Sequence, residues 1–179
     1  MRAGSGKLTY EEFKHFPDDG KRHEIIDGFH VAEPSPTTYH QKVSGRLHFQ
    51  LHAQIERTDL GEVFSAPMDV HLSEFDVVEP DLVVVLKEAR NIVTPTKIKG
   101  TPQLLVEILS PSTEKRDRGI KKALYCRTGV AEYWIVDLEE HLVEQYVLAD
   151  GRYTLAGKHA QAFTSSRIPS VRIDLSEVW

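Results

Sequence analysis

Two acidic residues stand where the surrounding strand pattern should exclude them. Asp81 follows Pro80 at the head of the apolar run Leu82-Val-Val-Val-Leu86, and Glu107 interrupts Leu104-Leu-Val106 and Ile108-Leu109. Acids are rarely buried unless paired or bound to a metal. Each therefore lies at a strand end facing water, or the pair shares a cation. On adjacent strands, Asp81 and Glu107 can hold one hard divalent ion through oxygen, leaving positions for water and phosphate. A nearby lysine would stabilise the charge building on a transferring phosphate, or help to position the attacking water. On the segment that follows, Asp117, Lys121 and Tyr125 fall at i, i+4 and i+8, along one face of a helix. Lys122 is turned about 100° away from that face. An ordinary Asp117–Lys121 helix pair, worth a few tenths of a kcal/mol, is the bland alternative.

These side chains need a sheet and flanking helices to bring them together. Thr9 can cap a helix running through Phe16, with Glu12 placed for a capping box and Pro17 ending it. Arg22 to Ile26 and Phe29 to Ala32 flank Asp27-Gly28, a hairpin signal. Val43, Leu47, Leu51 and Ile55 recur every four positions and predict an amphipathic helix from about Thr38 to Arg57. Strands are expected over Glu62 to Leu72, Val77 to Leu86 and Gln103 to Leu109. A helix should start at Ser112 or Thr113 and end near Gly129, a left-handed cap. Glu132 to Asp137 reads as a buried strand and Leu142 to Leu155 as a hairpin turning at Asp150-Gly151, with one more short strand within Val171 to Leu175. Helices bracketing a run of strands indicate a mixed α/β, or α+β, sheet domain.

The chain has 179 residues, and no linker or repeat divides it, so residues 1–179 read as one domain. The 22 basic and 27 acidic side chains give a net charge of −5, which counts against a generic nucleic-acid coat. Charge is distributed unevenly, however. Lys87 to Lys99 and Glu114 to Lys122 each carry +3, whereas Glu132 to Glu144 carries −5. Solvated faces are the ordinary reading of such clusters; a polarised surface with one anion-binding face is the alternative. The one cysteine, Cys126, excludes a disulfide or a multi-cysteine metal site within the chain. No apolar run reaches the ~20 residues of a membrane helix and no signal-peptide core is seen. A cytoplasmic protein is expected.

Several segments together resemble a known family. His23-Glu-Ile-Ile-Asp-Gly28, Glu79-Pro-Asp-Leu-Val-Val84, Val106-Glu-Ile-Leu-Ser-Pro-Ser-Thr113, Asp117 to Tyr125 and Gly129-Val-Ala-Glu-Tyr-Trp-Ile-Val-Asp137 are similar to the bacterial Uma-two family of restriction-endonuclease-like proteins, within the PD-(D/E)XK nuclease superfamily. The resemblance runs from about Leu8 to the end of the chain. It implies a central mixed sheet flanked by helices and a magnesium-dependent endonuclease site acting on DNA, with manganese as a substitute metal. Asp81 matches the metal-binding aspartate and Glu107 the second acid, with the Ile108 backbone carbonyl as a further metal ligand. Leu109 departs from the motif, where many superfamily members have lysine; in this family the lysine is moved to the next helix, which points to Lys121. Glu24 matches the acid of the N-terminal hairpin and His40 a histidine at the start of the long helix, as a further metal or water contact. The resemblance also suggests a homodimer. Lys115, Arg116, Arg118 and Lys122, with Lys97 and Lys99, would hold the flanking DNA backbone.

Other candidates are weaker. His48 and His52 have zinc-like spacing, but Phe49 replaces the glutamate of His-Glu-X-X-His. No glycine-rich phosphate loop and no Gly-X-Ser-X-Gly elbow occurs, and Cys126, Tyr133 and Trp134 read as core residues. Two rivals to a nuclease remain: a non-catalytic module of the same fold binding nucleic acid or protein, and an accessory protein that binds only a partner. The missing lysine at 109 and the overall charge favour the first of these.

Overall fold

The computed structural model describes residues 7–16 and 21–179; Pro17, expected to stop the first helix, lies outside the described residues. Helix α1 (Tyr10–Phe13) is shorter than predicted. It is capped as expected at its start, where the Glu12 carboxylate accepts hydrogen bonds from the Thr9 N–H and hydroxyl at 2.9 and 3.0 Å. Strands β1 (Arg22–Ile26) and β2 (Phe29–Glu33) form the hairpin. Its turn needs two left-handed residues, Asp27 (φ 53°) and Gly28 (φ 78°), and Asp-Gly is a pair that accepts them at little cost. Helix α2 (Thr38–Ile55) follows, with Val43, Leu47, Leu51 and Ile55 fully buried.

The two long strands expected in the middle are each broken. Residues 62–72 divide into β3 (Gly61–Ser65) and β4 (Val70–Ser73), and residues 77–86 into β5 (Asp76–Val78) and β6 (Leu82–Leu86). Pro67 and Pro80 mark the breaks, since proline has no N–H to give a ladder. β7 (Ile98–Lys99) is a strand the pattern did not suggest, and β8 (Leu104–Ile108) holds Glu107. The helix after it is composite: α3 (Glu114–Arg116), a π turn (Asp117–Lys121) and α4 (Lys122–Arg127). β9 (Glu132–Asp137), the hairpin β10 (Leu142–Ala149) and β11 (Arg152–His159), and the small pair β12 (Ala162–Thr164) and β13 (Arg172–Asp174) complete the chain.

The strands make two main sheets. One is ordered β2-β1-β5-β4-β7, the other β11-β10-β9-β8-β6-β3. All pairings are antiparallel except β4 with β7 and β8 with β9. A parallel β8–β9 pair requires a crossover, and the composite helix supplies it. Side chains alternate between the faces of a strand. Leu82, Val84, Leu104, Val106 and Ile108 therefore meet α2 and the C-terminal segment, whereas Val83, Val85 and Leu105 meet the composite helix and the hairpin sheet. Asp81 and Glu107 take the second direction. Leu82 pairs with Val106 in the β6–β8 ladder, so one further step sets Asp81 opposite Glu107.

Within the acidic segment, Glu132 is fully buried, without a salt bridge among the described residues. Its two oxygens accept from Trp134 Nε1, Gln145 Nε2, Ser165 Oγ and the Arg167 N–H at 2.7, 2.7, 2.7 and 2.8 Å. That carboxylate ties the segment at 165–167 to the sheet. Glu132→Ala would leave the Trp134, Ser165 and Arg167 donors unpaired, and we expect it to lower urea-unfolding stability by about 3 kcal/mol; an unchanged midpoint would refute the anchoring role.

Candidate functional site

Asp81 sits between the last residue of one sheet's strand and the first of the other's, and three groups fix it there. Its Oδ1 accepts from Arg22 at 2.8 Å; its Oδ2 accepts from the Ile108 N–H at 2.8 Å and lies 3.2 Å from His40 Nε2. His40 is placed by the N-terminus of α2, where Thr37 Oγ1 accepts from the His40 N–H at 3.2 Å. The ring Nε2 is also 3.1 Å from the Ile108 carbonyl oxygen. A carbonyl only accepts, so Nε2 carries the proton. One N–H thus faces Asp81 Oδ2 and the Ile108 carbonyl together.

Behind this point lies a buried ionic network. Lys121 is wholly buried, and its Nζ lies 2.8 Å from Glu24, 3.1 Å from Glu107, 3.5 Å from Glu33 and 3.8 Å from Asp117. Tyr125 donates to the same Glu107 oxygen at 2.6 Å. The predicted face of Asp117, Lys121 and Tyr125 is therefore real, and all three residues are buried on it. Lys122 points elsewhere, its ammonium 4.2 Å from the centre of the Tyr146 ring. Arg22 and Arg116 both pair with Glu33, at 3.2 and 2.9 Å.

Charge in the network is unbalanced. Five carboxylates (Glu24, Glu33, Asp81, Glu107 and Asp117) face three permanent cations, Arg22, Arg116 and Lys121. Burial pushes the Glu107 carboxyl well above its usual range, and Asp117, Asp81 and Glu24 push it further, against the pull of Lys121. Burial raises Glu24 in the same way, and takes Asp117 to about 6. Asp81 and Glu33 go the other way. Burial opposes their ionisation, but His40 and Arg22 hold Asp81 below the usual carboxylate range, and Lys121, Arg22 and Arg116 do the same for Glu33. Two oxygens converging on one point, beside a surplus of buried carboxylate, fit a divalent cation in charge and donor type. Among the described residues no group of three or more His, Cys, Asp or Glu side chains is arranged as a metal site; the candidate set relies on a backbone carbonyl instead.

The site opens on a cleft of about 550 Å³ lined by Asp81, Glu107, Ile108, His40 and Asp117, with the Ser110-Pro-Ser-Thr113 loop on one side. Lys121 and Glu24 are not on its wall; they lie beneath it. Of the basic residues expected to face a ligand, Lys115 is exposed beside the loop. Arg116 is spent on Glu33, and Arg118 binds Glu114, Asp137 and Glu144 at 2.9, 2.7 and 2.8 Å. This arginine joins the basic helix to the acidic segment, so the two local charges largely cancel. Lys97 and Lys99 line a separate depression, with Lys97 Nζ 4.0 Å from the Tyr10 ring centre. A single basic face spanning both +3 segments is not what the fold makes.

Arg22 and Glu33 were missed in the sequence, although the signal was present. Arg22 and Glu24 are two apart on β1, and Glu33 is the register partner of Arg22, so three charged side chains share one face at the open end of the hairpin. Of the other candidates, Tyr133 and Trp134 are fully buried core residues and Cys126 is half-buried. His52 pairs with Glu56 at 3.0 Å rather than with His48. No helix among the described residues is long and apolar enough to cross a membrane.

Comparison with known proteins agrees with this geometry. The sequence profile of the Uma2 family, described as "Putative restriction endonuclease", matches residues 10–176. A crystal structure of a "putative nuclease belonging to DUF820" from Anabaena variabilis superposes with a TM-score of 0.79 over 96% of this chain and 97% of that one. The two are 16% identical, so the likeness is one of fold. No curated protein matches the sequence. With the family pattern spanning nearly the whole chain and the nuclease-like fold around Asp81 and Glu107, the chain belongs to the Uma2 family.

Proposed function

We infer that this protein is a metal-dependent nuclease that hydrolyses phosphodiester bonds in DNA. The observation that carries the reading is the meeting of Asp81 Oδ2 and the Ile108 carbonyl at one His40 N–H, beside Glu107 and at the floor of a cleft. Asp81, Glu107 and the Ile108 carbonyl would hold magnesium or manganese, with His40 a contact that gives way or ligates. When bound, the ion would lower the pKa of water and stabilise charge on phosphate. The protein's own groups do the rest. Arg22 fixes the Asp81 carboxylate, and Tyr125 with Lys121 fixes Glu107 from behind. Lys121 is then a positioning residue: its ammonium holds Glu107 in place and favours its charged form, and reaches phosphate only if it leaves four carboxylates.

Supercoiled plasmid incubated with purified protein should be nicked with magnesium or manganese and untouched with chelator. Glu107→Gln should lose that activity. Nicking that is equal in both proteins, or indifferent to chelator, would sink the reading. The neutralised Arg116 and Arg118 favour one alternative, a module that keeps the fold without cutting. DNA binding unchanged by chelator, with no cleavage, would decide for it.

A further inference from the structure

A second cleft of about 530 Å³ lies on the other side of Asp81. It shares Arg22, Pro36, His40 and Asp81 with the first, so the two clefts adjoin at the acidic site. Each falls within the ~300–1,000 Å³ of clefts that enclose a small-molecule-sized ligand. A chain laid with a phosphate at Asp81 can extend into both.

One wall of the second cleft is a face of α2, and Ser65 to Pro67 and Glu79 contribute to the rest. Gln41, Ser44, Gly45 and His48 line it, at i, i+3, i+4 and i+7, away from the stripe of Val43, Leu47 and Leu51 that packs on the sheet. Glycine in mid-helix destabilises a helix relative to alanine. Nothing in the fold requires it here: a Cβ at Gly45 would meet no atom within 4 Å. The missing side chain leaves depth in the cleft. Burial holds the His48 imidazole below its usual pKa, so at neutral pH it is a flat, uncharged ring, of the kind on which bases stack. Gln41 and Ser44 add hydrogen-bonding groups beside it.

We propose that this second cleft is a nucleoside subsite, which takes the nucleotide adjoining the phosphate at Asp81, with His48 against the base and Gly45 providing the space. The proposal rests on the nuclease reading and adds that the substrate is gripped on both sides of the reacting phosphate.

Calorimetry with the dinucleotide pTpT and with thymidine 5′-phosphate, in calcium to slow hydrolysis, tests it. Wild type should bind the dinucleotide about tenfold or more tightly than the mononucleotide, the gain from one further stacked base. Gly45→Leu, which fills the cleft, should erase that increment and melt no lower than wild type, because leucine is the better helix former. His48→Ala should reduce the increment several-fold, a second route if the leucine disturbs folding. An undiminished increment in both variants overturns the subsite while leaving the nuclease reading intact. No binding of either nucleotide by wild type, with no metal-dependent nicking, removes the reading itself and the subsite with it.

Discussion

Asp81→Asn should reduce metal-supported DNA cleavage by about a hundredfold or more while the protein stays folded. Asparagine has nearly the same shape and still offers one oxygen to the Ile108 N–H, which the carboxylate now receives at 2.8 Å. What it removes is the charge that Arg22 and His40 hold in its ionised form. Arg22 keeps a partner in Glu33 at 3.2 Å, so no buried cation is stranded and the cost in stability should be about 1 kcal/mol. Activity should depend on that carboxylate far more steeply, because interactions around a metal are worth 10–100-fold even when they are indirect. Single-turnover cleavage and thermal melting measured on the same preparation separate the two effects. Cleavage within a few-fold of wild type would show that Asp81 is not the anchoring acid.

Lys121→Met should have the largest effect on stability. Four carboxylates lie within 3.8 Å of this one ammonium, and removing one partner of a buried ion pair costs about 3–5 kcal/mol because charge is left uncompensated. The loss should depend on pH in a definite direction. Burial opposes the Lys121 charge, but the surrounding carboxylates raise its pKa well above the ordinary value of 10.5. Its stabilising contribution is thus complete below that value and disappears only as pH rises through the raised one. Without it, Glu24, Glu107 and Asp117, already raised by burial, go higher still. An acid whose pKa is raised on folding favours the folded state below its unfolded value, and that advantage is lost as pH climbs through the folded one. The variant should therefore be most stable near about pH 5 and weaken toward about pH 8, where the gap to wild type is widest. Urea titrations at both pH values check this, and a gap that narrows with rising pH would contradict the buried-carboxylate account.

How much of this was legible beforehand differs from element to element. The four-residue spacing of Val43, Leu47, Leu51 and Ile55 gave α2 almost to the residue, because a long helix against a sheet advertises its buried stripe. Asp81 and Glu107 were visible as acids in apolar runs, and Lys121 with Tyr125 as a face pointing the same way. Their partners were not. Arg22 and Glu33 join Glu24, which the resemblance had pointed to, in the network only because two sheets meet at Pro80, and sheet order is not written in any local pattern. Charge segments misled for a related reason: Arg118 closes on Asp137 and Glu144 across the fold, so a run that is basic in sequence is neutral in space.

The π turn from Asp117 to Lys121 has a bearing on how this site tolerates change. A π turn holds one residue more than an α turn, and that residue sets how Asp117 is rotated relative to Lys121 and Tyr125. Gly119 and Ile120 sit on its outer side, the glycine with open space around it and the isoleucine half exposed. Their identities should be almost free, whereas adding or removing a residue there would change the winding and with it the rotation of Asp117 relative to Lys121 and Tyr125. Here the chain counts residues more strictly than it chooses them.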